Sequence, residues 1–161
     1  MLWTMIAKWA AAGYLIPAVI WDIRKRAVPV RFIRLALLIA LVLRFLAEGG
    51  FAEALREDGV QGMVWKFASL FAAALPGIIL LFLGYVTGEA VGYADGWSVL
   101  LLGLFAGSGA AVCVLMTAFF FSAVYALWLI VGQRAKPGMR FPFLPHISAG
   151  YLVWIMFSSL G

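Results

Sequence analysis

Three acidic residues stand apart from the rest of the sequence: Asp22, Glu89 and Asp95 border long apolar segments. The remaining acidic residues fall in one polar stretch, as Glu48, Glu53, Glu57 and Asp58. A carboxylate beside hydrocarbon is costly, so it needs a partner or a chemical task. Two aspartates that share a proton can hydrolyse a peptide bond, because one activates a water as a base while the other, protonated, polarises the carbonyl.

Each of these carboxylates also has a structural interpretation. Asp22 follows an apolar helix predicted over about 3–21, where the helix dipole disfavours a negative charge, but it could pair with the basic residues after it. Asp95 precedes a second apolar helix, and Asp is a favoured N-cap residue. Glu89 in a Gly-containing turn is typical of a solvated loop charge. From these positions alone, both the structural and the chemical interpretation stay open.

The elements that must position these residues lie in a membrane. Of the 161 residues, 66% are hydrophobic and 12% are charged, whereas soluble domains have about 45–50% and about 25%. The apolar segments lack the alternation of a membrane barrel, and backbone groups in lipid must be satisfied internally. The composition therefore predicts an all-α integral membrane protein, folded as a single membrane-embedded domain over 1–161.

Hydropathy predicts a polytopic bundle of about six transmembrane helices, over about 3–21, 32–47, 63–86, 96–107, 110–131 and 145–160. The apolar run at 97–131 is too long for one crossing, so we place a break within "GLFAGSGAA", near 107–109. Pro76 and Gly77 are expected to kink the third helix. Gly103 and Gly107 have the spacing of small residues that allow close helix packing.

The distribution of charge predicts how the bundle crosses the membrane. Eight of the 12 Lys and Arg residues fall in two loops, as Arg24, Lys25, Arg26, Arg31, Arg34, Arg134, Lys136 and Arg140. The positive-inside rule places these loops in the cytoplasm, both termini outside, and all three isolated acids at the inner face of the inner or plasma membrane. The net charge of +5 thus indicates topology and not nucleic-acid binding. Lys8, near the outer end of the first helix, is expected to snorkel to the headgroups.

Other kinds of chemistry lack support in the sequence. The single Cys113 excludes a disulfide framework or a multi-Cys zinc site and is interpreted as a buried, inert thiol. A lone His146 without ligand spacing does not indicate a metal. No serine, including Ser98, lies near a His–acid pair or in a nucleophile elbow. We therefore expect no metal and no cofactor.

Three stretches in register resemble the prepilin peptidase family, membrane aspartic proteases that cut leader peptides from type IV pilin-like proteins. "WDIRKRAVP" (21–29) is similar to the family's Asp, basic run and Pro, and "TGEAVGYADGWSVLLLGLFAG" (87–107) is similar to its Gly-x-Gly-Asp motif and apolar helix. "RFPFLPHISAGYL" (140–152) is similar to its Pro-Phe-x-Pro entry to the last helix. Ala94, Trp97 and Val30 depart from the commonest family residues.

The resemblance implies an aspartic endopeptidase with Asp22 and Asp95 as its catalytic dyad. It would remove the basic leader of a pilin-like precursor at the cytoplasmic face, with the bilayer holding the substrate helix. Glu89, Gly92 and Gly96 are the candidates for substrate contact. The short first loop and single cysteine match the short, peptidase-only form, without methyltransferase activity. The alternatives are a small ion-coupled or proton-coupled transporter subunit, and an inactive homologue that acts as a scaffold in pilus or secretion assembly. No oligomeric state is predicted.

Overall fold

The computed structural model describes residues 2–47, 56, 59–88, 92–132 and 142–160. These residues form six helices: α1 (Leu2–Lys25), α2 (Val30–Ala47), α3 (Gly59–Val86), α4 (Tyr93–Ala106), α5 (Ser108–Val131) and α6 (Leu144–Leu160). Every bound lies within about four residues of the predicted one, and no strand occurs in the described ranges. The predicted all-α membrane fold is confirmed, whereas the side on which each terminus lies stays a prediction.

The six helices differ in length relative to a bilayer. Segments of α1, α3 and α5 are long and apolar enough to cross a membrane. α4 has 14 residues, or about 21 Å of helix, against a hydrocarbon core of about 30 Å. The shortest helix of the bundle is thus the one that carries Asp95.

That short helix, α4, is the centre of the bundle. Each of the other five helices packs against it. All of its residues from Asp95 to Phe105 are buried except Trp97, which is half-buried. A helix that is apolar all round is typical of such a buried position. The outer helices instead expose large apolar side chains such as Trp9, Phe71 and Phe120, as expected for a surface that faces lipid.

Small residues allow α3 to lie directly against α4. A Cβ atom added at Gly77 would overlap the backbone of Leu100, and one added at Gly103 would overlap the backbone carbonyl of Ala73. The predicted packing role of Gly103 is therefore confirmed. Pro76 lies inside α3, which continues as one helix across it from Gly59 to Val86.

The predicted break in the long apolar run occurs at a single residue. Gly107 separates α4 from α5 and has φ of 92°, a conformation that side chains with a Cβ rarely adopt. Its backbone N–H still bonds to the carbonyl of Gly103, at 2.7 Å. One glycine is thus enough to end α4 and to begin α5.

Two side chains, Lys8 and Cys113, have surroundings that the sequence does not indicate. Nζ of Lys8 donates to the Ser158 hydroxyl at 3.1 Å and lies 5.0 Å from the centre of the Trp154 ring. α6 thus offers Lys8 a hydroxyl and a π face, and the expectation that Lys8 snorkels stays a prediction. Cys113 is exposed, so the interpretation as a buried thiol is wrong.

Candidate active site

Asp22 lies in the last turn of α1, because the helix continues to Lys25 and not only to the predicted end at 21. Only 8% of its surface is exposed. The backbone N–H of Leu144, the first residue of α6, faces its carboxylate, and the positive charge of Arg26 acts on it. The first N–H groups of a helix have no partner within that helix and favour a negative charge. The start of α6 thus offsets the unfavourable dipole of α1 at Asp22.

One oxygen of this carboxylate remains unsatisfied. Oδ2 of Asp22 is buried and has no hydrogen-bond partner among the residues that the structure describes. A buried polar atom without a partner is uncommon in folded proteins and needs an explanation. A reacting water or a substrate group would supply the missing hydrogen bond.

Asp95 is the third residue of α4, and the N-cap of that helix is Gly92. The N-cap interpretation of Asp95 is therefore wrong, since the helix begins at Tyr93 and not at 96. The Asp95 carboxylate instead reaches back to the backbone N–H of Gly92. This is the position from which an acidic side chain in a capping box reaches the N-cap. Asp95 is 8% exposed.

The structure brings Asp22 and Asp95 to the same end of the bundle. They are the only acidic residues in the described ranges, both are buried, and the two carboxylates interact electrostatically. Two adjacent carboxylates do not both ionise readily, because the second negative charge is repelled by the first. The arrangement therefore favours one proton and one negative charge on the pair over two negative charges.

The three candidates for substrate contact differ in placement. Gly92 is exposed beside Asp95, and a Cβ atom there would lie 2.9 Å from Oδ2 of Asp95. Gly96 is buried, and a Cβ atom there would lie 2.8 Å from the Leu81 side chain. Helix packing against α3 thus accounts for Gly96, whereas Gly92 leaves room for the carboxylate. Glu89 lies outside the described residues.

A buried hydrogen bond near Asp95 was not expected from the sequence. Tyr14 of α1 and Ser98 of α4 are buried, and their hydroxyl oxygens are 3.0 Å apart. Ser98 also bonds to the carbonyl of Ala94, at 2.7 Å. From the sequence, Ser98 is a candidate only as a nucleophile, a role for which it lacks a His–acid partner. Helical spacing places Tyr14 two turns before Asp22 on the same face of α1, but it does not indicate that Ser98 is the partner of Tyr14.

No group of three or more His, Cys, Asp or Glu side chains is placed to hold a metal ion in the described part of the chain. His146 lies near the start of α6 among aromatic rings, 5.6 Å from the ring centre of Tyr125 and 6.2 Å from that of Phe143. This environment is typical of a packed imidazole.

Comparison with known proteins adds one finding to this geometry. The sequence pattern of the type IV leader peptidase family matches residues 9–127, well over half of the chain, and that range includes both buried aspartates. No curated protein and no solved structure matches the chain.

Proposed function

Because this chain belongs to the type IV leader peptidase family and is therefore a peptidase, we propose that it is an aspartic endopeptidase whose catalytic dyad is Asp22 and Asp95. One observation carries the proposal: two buried carboxylates from different helices lie at one end of an otherwise apolar bundle and interact electrostatically. The activity is that of a peptidase alone, without methyl transfer.

In the proposed reaction, Asp22 is the base and Asp95 is the acid. The Leu144 N–H and the Arg26 charge favour the anion at Asp22, whereas Asp95 lies in the buried first turn of α4. Asp22 takes a proton from a water, and the water oxygen attacks the peptide carbon. Asp95 donates its proton to the carbonyl oxygen, so that a tetrahedral diol forms.

Collapse of the diol completes the reaction. The C–N bond breaks, Asp22 passes its proton to the leaving nitrogen, and a diol hydroxyl returns a proton to Asp95 as the new carboxyl group forms. Both aspartates then have their original protonation states. The unsatisfied Oδ2 of Asp22 is a suitable acceptor for the attacking water.

The proposed substrate is a pilin-like precursor, which has a basic leader, a Gly at the cut and an apolar helix that stays in the membrane. With Asp22 and Asp95 at the end of the bundle, the cut lies at the membrane boundary. The backbone there must be extended, because a helical peptide bond is shielded by its own turn. The exposed Gly92 and the preceding turn, including Glu89, are the proposed contacts.

The test is cleavage of a purified pilin-like precursor by the detergent-solubilised wild-type protein. We expect a shortened product that begins after the leader, identified by mass spectrometry. A wild-type protein that is folded but leaves several such precursors intact would favour the inactive scaffold.

The proposed orientation places the aspartates at the cytoplasmic face, and it can be tested with two exposed basic residues. In a Cys113→Ser background, Lys25→Cys lies at the end of α1 near Asp22, whereas Arg56→Cys lies between α2 and α3. In intact spheroplasts, a membrane-impermeant maleimide is expected to label Arg56→Cys but not Lys25→Cys. Opened membranes should label both. The reverse pattern would place the site on the outer face.

Gly92→Ala is expected to lower kcat by about 10-fold to 100-fold, because displacement of a reacting group by about 1 Å has effects of that size. The new Cβ atom would lie 2.9 Å from Oδ2 of Asp95, and the carboxylate must shift. The backbone at Gly92, with φ of −65° and ψ of 133°, accepts any residue. Steady-state cleavage of the precursor measures the effect.

Gly92→Ser separates this steric effect from a loss of helix capping. Serine is a favoured N-cap residue but carries the same Cβ atom, so Gly92→Ser should be as impaired as Gly92→Ala. Recovery of wild-type kcat in the serine variant alone would mean that capping, and not the position of Asp95, explains the glycine.

A further inference from the structure

We propose that Tyr14 and Ser98 are positioning residues, whose hydrogen bond sets the register of α1 against α4 and with it the separation of Asp22 and Asp95. This inference rests on the proposed function, since it assumes that the two carboxyl groups act together. It concerns two residues that do not themselves take part in the proton transfers.

The direction of the hydrogen bond follows from the number of protons. The Ser98 hydroxyl has one proton, and it donates that proton to the Ala94 carbonyl at 2.7 Å. The 3.0 Å contact with Tyr14 therefore requires the tyrosine O–H to donate to Ser98 Oγ. The chain of hydrogen bonds runs from α1 through Ser98 to the peptide group that joins Ala94 to Asp95.

Both partners lie on the same face of their helix as the aspartate they serve. Tyr14, Ala18 and Asp22 follow one another at intervals of four residues, and all three are buried. Ser98 is three residues after Asp95, or about 4.5 Å along α4. A rotation or axial shift of α1 that separates the two hydroxyl groups would thus also move Asp22 relative to Asp95.

Apart from Leu15, the other apolar positions buried on α1 carry small side chains, and the hydrogen bonds at Lys8 join α1 to α6 and not to α4. The small side chains are those of Ala7, Ala11 and Ala18, which are at most 4% exposed. Methyl groups let helices approach closely but interlock weakly, whereas hydrogen bonds between membrane helices are directional. Tyr14 is the large polar side chain in this row of alanines.

The ring of Tyr14 is itself held in place. It stacks on Phe32 of α2, with ring centres 5.3 Å apart and planes inclined by 10°. Phe32 in turn meets the edge of Trp21, with ring centres 4.9 Å apart. The phenol is therefore fixed before a substrate arrives, as a positioning role requires.

Single-atom deletions test the proposal. Tyr14→Phe removes one hydroxyl and keeps the stacked ring, and Ser98→Ala removes the other. Each variant is expected to lower kcat for precursor cleavage by about 10-fold or more while KM changes less than about twofold. The double variant should lose no more than either single variant, because all three lack the same hydrogen bond.

Tyr151→Phe is the matched control. Tyr151 is 1% exposed, and its hydroxyl donates to the Lys8 carbonyl at 2.8 Å, joining α6 to α1 away from the aspartates. If tyrosine hydroxyls serve only to stabilise the bundle, Tyr14→Phe and Tyr151→Phe will lower the unfolding temperature alike and leave kcat unchanged. If Tyr14 is a positioning residue, only Tyr14→Phe will lower kcat.

Wild-type kcat in Tyr14→Phe and Ser98→Ala, or an equal loss in Tyr151→Phe, would overturn the inference. Failure of the proposed function has a different signature, which is retained cleavage when either aspartate is replaced. An inactive aspartate variant beside a fully active Tyr14→Phe would therefore reject the positioning role and leave the dyad intact.

Discussion

Asp22→Asn and Asp95→Asn are each expected to lower cleavage of a pilin-like precursor by at least about 1000-fold, as removal of one member of a catalytic set does in other proteases. An amide neither takes a proton from water nor donates one to the substrate carbonyl. It has nearly the same shape as the carboxylic acid, and its oxygen still accepts a hydrogen bond from Leu144 or Gly92. The variants should therefore accumulate in membranes like the wild type.

The measurement is product formation in membranes and in detergent, with protein amount determined by immunoblot and folding by size-exclusion chromatography. Asp58→Asn removes the same charge from the acidic stretch of residues 48–58, which the charge distribution predicts at the opposite membrane face, and should be fully active. Cleavage at more than about a tenth of the wild-type rate by either buried variant would exclude an aspartic mechanism that uses this pair.

Gly103→Ala is expected to lower the free energy of unfolding by about 3 kcal/mol, at the upper end of the usual cost of overpacking. A Cβ atom at this position would overlap the carbonyl of Ala73, which belongs to the backbone of α3 and not to a side chain that can rotate away. The two helices must then separate along their whole contact. Thermal unfolding of the purified protein in detergent measures the loss.

Gly13→Ala is the control for Gly103→Ala. Gly13 lies inside α1, and nothing is within 4 Å of a Cβ atom placed there. Alanine also has the higher helix propensity, by up to about 1 kcal/mol, so this variant should be at least as stable as the wild type. Equal stability of the two variants would show that α3 and α4 are not in close backbone contact.

The helices could be predicted well because hydropathy determines which segments are long and apolar enough to span a bilayer. The break at Gly107 and the common side of Asp22 and Asp95 followed from segment length and loop charge in the same way. Helix ends near the site were less accurate: α1 extends past Asp22 and α4 begins before Asp95. Because of these extensions, both carboxylates lie inside helices. Asp22 receives its hydrogen bond from the backbone N–H at the start of α6, and Asp95 receives one from the N-cap residue of α4.

Which side of each helix is buried could not be predicted in the same way. An amphipathic helix shows its buried side by polarity, but α5 is apolar on every side, and nothing in its pattern indicates that Cys113 is exposed. For Lys8 the polarity of the side chain was not informative either, because its charge near a helix end does not indicate its contacts with Ser158 and Trp154 of α6. The Tyr14–Ser98 contact joins residues 84 positions apart, and one sequence carries no direct sign of such a pair.

The close approach of α3 and α4 determines which parts of the protein can move when a substrate enters. At Gly77 and Gly103 backbone meets backbone, with no side chain between the helices to change rotamer. Asp95 therefore belongs to a rigid body made of both helices. Asp22 lies on α1, which meets the bundle through small side chains such as Ala11 and Ala18 and through the Tyr14–Ser98 hydrogen bond, so any shift of α1 must first break that bond. Opening the site would be a shear motion, in which α1 and the start of α6 shift past a stationary α3–α4 pair.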